Sequence, residues 1–91
     1  MTFEEINAQH DELIAQHAAD PIATAAIDKA AKLVVHMVFR TNGVTVKNFT
    51  PKFAAVLAEY PDHKELARQS FKLAADALTA LIRDTQAASN A

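Results

Sequence analysis

Apolar residues fall on a helical beat along most of the chain. Phe3, Ile6 and Leu13 share a stripe with positions 10 and 17, a 3-4-3-4 series, and both of those positions are histidine. Thr2-Phe3-Glu4-Glu5 in front of the stripe is a capping-box pattern: the Thr2 hydroxyl can accept from the Glu5 amide, and the Glu5 carboxylate can reach back. Two acids in the first turn also suit the helix dipole. The spacing predicts a first helix over about 3–18.

Asp20-Pro21 is a second start signal. Asp is a preferred N-cap, and proline at the first helical position loses no hydrogen bond that the helix needs. The pattern then runs without a breaker through IATAAIDKAAKLVVHMVF. Its last seven residues, Leu33–Phe39, are apolar but for His36. A helix that is apolar nearly all round is a buried one, so this segment is expected at the centre of the fold. Asn42-Gly43 follows, and it can be read in two ways. Flanked by β-branched residues and Val44-Thr45-Val46, it fits a hairpin turn and an α+β fold. It is also how a helix stops, with Gly43 left-handed just past the end and Arg40 in the last turn. The unbroken pattern from Pro21 favours the helix.

Val44–Phe49 reads as a short extended connector. Thr50-Pro51 repeats the cap-plus-proline signal, and Phe53, Val56, Leu57 and Tyr60 mark the apolar face of a third helix that Pro61 ends. Asp62 and Glu65 are spaced as a capping box for a fourth helix running to about Thr85. Its stripe is Ala67, Phe71, Ala74, Leu78, Leu81 and Thr85, flanked by Leu66, Leu73 and Ile82. Residues 86–91 read as a frayed tail. The expected architecture is therefore all-α: one small four-helix domain over 1–91, with a buried central second helix.

Composition agrees. Of the 91 residues, 51% are hydrophobic, yet 20 residues are alanine, the best helix former and a poor source of burial. One glycine and three prolines are too few for the turns of an all-β fold. A modest core and wide apolar stripes imply that a partner chain completes the surface, most simply a second copy. With no cysteine, disulfides, thiolate metal sites and cysteine nucleophiles are excluded. An acidic start and the absence of a run of roughly 20 apolar residues argue against a signal peptide and a membrane span, and a cytoplasmic setting is expected.

Charge divides unevenly. Residues 1–31 carry six acids and one base, a net of −5, whereas 32–91 net +3. On the acidic side are Glu4, Glu5, Asp11 and Glu12. On the basic side, Lys64, Arg68 and Lys72 share one face of the fourth helix. The two sets are a candidate interaction surface, within one chain or between copies.

The remaining chemistry is sparse. His10 and His17 are weak metal candidates: seven residues apart, they rise roughly 10 Å, too far for one ion to take both from one helix. A site across a subunit interface would be needed. His36 is a weak cofactor candidate, as a haem ligand, or else a hydrogen-bonded core histidine kept neutral by burial. No glycine-rich phosphate loop or nucleophile–base pair is present. No cofactor is expected, and the chain does not read as an enzyme. It reads as a non-catalytic protein–protein interaction module, an adaptor, assembly or regulatory subunit that forms a homo-oligomer. Two alternatives come from other classes. One is a small nucleic-acid-binding regulator using Lys64, Arg68 and Lys72, which the acidic overall charge disfavours. The other is a haem or metal carrier built across a subunit interface.

Overall fold

A computed structural model describes residues 1–89. Among them are four helices and no strand: α1 (Phe3–Gln16), α2 (Pro21–Phe39), α3 (Phe49–Glu59) and α4 (Lys64–Ser89), with a 3-10 turn, Pro61–His63, ahead of α4. The fold is all-α, and Asn42-Gly43 joins no hairpin. None of these helices is long and apolar enough to cross a membrane.

The expected caps form at the first two helices. Thr2 Oγ1 accepts from the Glu5 amide at 3.2 Å, and Glu5 Oε1 accepts from the Thr2 amide at 3.4 Å. Asp20 Oδ1 accepts from the amides of Ile22 at 3.0 Å and Ala23 at 3.2 Å, with Pro21 in the first turn.

Pairings along the helices fix the topology. Asp20 lies opposite His63, and Ile27 opposite Ser70, so α2 and α4 run parallel. The Met1 carbonyl accepts from Arg83 while His10 meets Ser70, so α1 is antiparallel to α4. Lys29 on α2 binds Glu59 at the end of α3 at 2.6 Å, so α3 returns antiparallel to α2. Directions alternate, but the closest pair is the diagonal one, α2 against α4. Helix α1 lies along α4, and α3 lies mainly along α2. The bundle is thereby flattened to a slab of 46 × 30 × 16 Å.

Small residues explain the shape. The buried faces of α2 and α4 carry Ala23, Ala26, Ala30, Ala67, Ser70 and Ala77, with Ile27 and Val34 fully enclosed. Side chains this small let two helices approach closely. Phe71 on α4 then anchors α3, its ring 4.5 Å from that of Phe53 and 5.8 Å from that of Phe49.

Several expectations are corrected. The fold centres on the α2–α4 pair rather than on Leu33–Phe39. Leu33 and Val34 are buried, but Val35 is 41% and Phe39 61% exposed. In a flattened bundle α2 has close neighbours on only part of its circumference, and Val35 and Phe39, four residues apart, share a face outside it. On α4 the most deeply buried line is Ala67, Ser70, Ala77 and Ala80, rotated from the predicted stripe. Along this line Ser70 meets α2, and Ala77 and Ala80 pack with Ile6 of α1. Phe71 and Leu78 flank the line half-buried, and Leu81 is partly exposed.

Helix ends differ in detail. Helix α1 stops at Gln16. Helix α2 ends at Phe39, and it is Arg40, not Gly43, that takes the left-handed cap at φ 56°. Asn42 and Gly43 continue in positive φ. The next segment is a set of turns rather than an extended connector, with Val44 buried beneath it. Asn48 staples this loop: its Oδ1 accepts from the Thr45 amide at 2.7 Å, and its Nδ2 donates to the Gly43 carbonyl at 2.9 Å. Helix α3 therefore starts at Phe49, ahead of Thr50, and Pro51 is accommodated within the first turn, where no amide hydrogen bond is lost. Asp62 belongs to the 3-10 turn instead of capping α4, and Glu65 pairs with Arg68 at 3.3 Å. Helix α4 runs through Ser89, past the expected end at about Thr85. The last two positions of the expected tail lie outside the described residues.

Candidate functional site

His36 stands at the end of α2, half-buried. It is not the core histidine expected from its apolar neighbours, because the last turns of α2 lie outside the close seam. Its ring closes the left-handed turn instead. Thr41 Oγ1 lies 2.7 Å from Nδ1, and Asn42 Nδ2 lies 2.9 Å from Nε2. With the Asn42 amide donating to Nε2, Nδ1–H donates to Thr41. The His36 carbonyl also accepts from the amides of Arg40 and Thr41. One residue thus ties the helix end through its backbone and both ring nitrogens.

Beside this turn the surface is apolar. Val35, Phe39 and Val46 are exposed, the last at 72%. Met37, Val38 and Val46, together with Arg40, Thr45 and Lys47, line an open groove of about 420 Å³.

The charged surface read from the sequence is not drawn together within one chain. Lys64, Arg68 and Lys72 are exposed on α4. Arg68 pairs with Glu65, and among the described residues no ion pair links this face to Glu4, Glu5, Asp11 or Glu12. Glu5 is engaged in its capping box. His17 is half-buried at the end of α1, where its carbonyl accepts from Thr24 Oγ1 at 3.1 Å. Among the described residues no three His, Asp or Glu side chains are grouped to hold a metal ion, His10 and His17 included.

The most developed polar arrangement joins three helices. His10 Nε2 on α1 lies 2.8 Å from Ser70 Oγ on α4, and Ser70 Oγ donates to the Ile27 carbonyl on α2 at 2.7 Å. Ser70 is fully buried and has a single hydroxyl proton. Since that proton goes to Ile27, Ser70 accepts from His10, and the neutral ring carries its proton on Nε2. Nδ1 is left as the acceptor, on the side of the ring away from Ser70. Burial lowers the His10 pKa, with the Asp11 and Asp28 carboxylates working against it. The ring borders a groove of about 590 Å³ between α1 and α2, walled by Ile14, Ala18, Pro21, Thr24, Ala25 and Asp28.

No family model matches this chain, and no curated protein or solved structure matches it.

Ser70 was missed because pattern reading treats serine as a surface residue. Its partners are 60 and 43 positions away. One signal was present: Ser70 stands three residues after Ala67 and seven before Ala77, on a continuous small-residue line.

Proposed function

We propose that this chain is a non-catalytic protein–protein interaction module that works as a homo-oligomer, most simply a two-fold dimer. The observation that carries the reading is the apolar end of the slab, where Val35, Phe39 and Val46 stand exposed beside the groove lined by Met37 and Val38. Exposed apolar side chains grouped together mark interaction surfaces. The dimensions support it. The accessible surface is 5838 Å², against about 5,200 Å² for a compact monomer of this length. The radius of gyration is 13.8 Å, against about 12 Å. Half of the buried apolar residues are alanines, so the core of one copy is thin. A second copy laid on the apolar end adds the burial that one chain lacks, and two-fold pairing is the commonest closed arrangement.

Light scattering at high micromolar concentration tests this. The expected mass is a multiple of the single chain, falling to one chain in Phe39→Ser with the helical dichroism unchanged. A wild-type mass of one chain overturns it.

A further inference from the structure

We infer that the groove between α1 and α2 is a binding site for a small organic ammonium ion with an apolar body. The walls supply the apolar half: Ile14, Ala18, Pro21 and Ala25 line it. The polar half offers acceptors. The Ser70–Ile27 clasp fixes the neutral His10 ring with its proton on Nε2, which leaves Nδ1 able to receive a hydrogen bond. Nδ1 has no partner among the described residues. Asp28 lines the same groove with a carboxylate, one oxygen of which holds Lys32 at 2.9 Å while the other is free to accept. Asp11 adds negative field at His10, and no cationic side chain lines the groove.

A cation is therefore favoured, and the choice between metal and organic cation follows from geometry. No three ligating side chains converge on one point among the described residues, so a metal ion would find no coordination shell. An ammonium needs none. It donates N–H bonds to separate acceptors while its hydrocarbon covers the alanine and proline wall. The groove volume, about 590 Å³, falls in the range of sites that take small molecules. The clasp orients the His10 ring as an outer partner orients a ligand-binding histidine. This site is separate from the apolar end of the slab, so the two readings stand or fall independently.

The probe is 2-phenylethylamine, cationic at pH 7, titrated into the 15N-labelled full chain while the His10 ring signals are followed. The control is 2-phenylethanol, the neutral counterpart. A saturable shift with the amine up to about 10 mM is expected, with the alcohol weaker. Asp28→Asn, a change at an exposed position, is expected to weaken the amine about three- to tenfold. Ala25→Leu, which fills the wall, is expected to abolish the shift. The proposal is overturned by no saturable shift in the wild type, by equal binding of amine and alcohol, or by an Asp28→Asn chain that binds the amine unchanged.

Discussion

His10 Nε2 lies 2.8 Å from Ser70 Oγ, although the two residues are 60 positions apart. The contact places a donor on α1 against a hydroxyl that has already spent its own proton on α2. Three helices are therefore held by two hydrogen bonds that share the Ser70 hydroxyl.

Ser70→Ala removes the acceptor and leaves the His10 N–H half-buried without a partner, at an expected cost of about 1–3 kcal/mol. A double-mutant cycle with His10→Leu, followed by urea unfolding, should show a coupling of about 0.5–3 kcal/mol. Additive losses would mean that the two side chains act separately.

The His10 clasp also predicts a pH dependence. Burial lowers the folded pKa below the usual 6.5, so the unfolded chain binds the proton more readily. The stability that neutral His10 contributes is complete above the unfolded value. It declines as pH falls through that value towards the folded one. Subtracting the unfolding curve of His10→Gln from the wild type between neutral and mildly acidic pH isolates this contribution. The difference should shrink on acidification, and a growing difference contradicts the assignment.

Asp20 caps α2 with two amide hydrogen bonds and faces His63 at 3.5 Å. Asp20→Ala is expected to cost about 1 kcal/mol. Asp20→Asn, which keeps the cap but not the charge, should recover most of that loss in thermal unfolding.

The core is thin enough for one residue to matter. Ile27 is fully buried on α2, and Ile27→Ala should cost about 2–5 kcal/mol by calorimetry or denaturant. Val35→Pro, at an exposed position inside the same helix, should cost about 3 kcal/mol through the backbone alone.

Salt provides a test of self-association at the apolar end. Arg40 and Lys47 line its groove, with no acid among the lining residues. A two-fold interface sets identical patches face to face and so brings these cations near their own copies. Added salt screens that repulsion within a Debye length of about 8–10 Å. The dimer should tighten as salt rises, measured by sedimentation, and weakening would point to a partner of opposite charge.

Local signals were the legible part of this chain. Thr2 with Glu5 and Asp20 with Pro21 act within one turn, so their caps can be read directly from spacing. The phase of α4 could not be, because hydrophobicity ranks Phe71 and Leu78 above Ala77 and Ser70, whereas close helix contacts, Ala77 with α1 and Ser70 with α2, select for size. His36 misled for a related reason. Its neighbours are apolar, but burial depends on whether another helix covers that turn, and none covers Val35 or Phe39. Arg40 was likewise unreadable as the left-handed cap while Gly43 stood nearby; Thr41 and Asn42, folding back to His36, place the stop three residues earlier.

Parallel pairing of α2 with α4 carries a kinetic consequence. The two helices that share the alanine seam are not neighbours in the chain, since α3 and its loops lie between them. Their union closes a long segment before its best contacts are gained, an entropic toll that grows slowly with loop length. Short-range hairpins of α1 with α2, or α2 with α3, offer little seam of their own to nucleate on. The rate-limiting event of folding should thus be the non-local docking of α2 on α4, and this domain should fold more slowly than its helical content alone suggests.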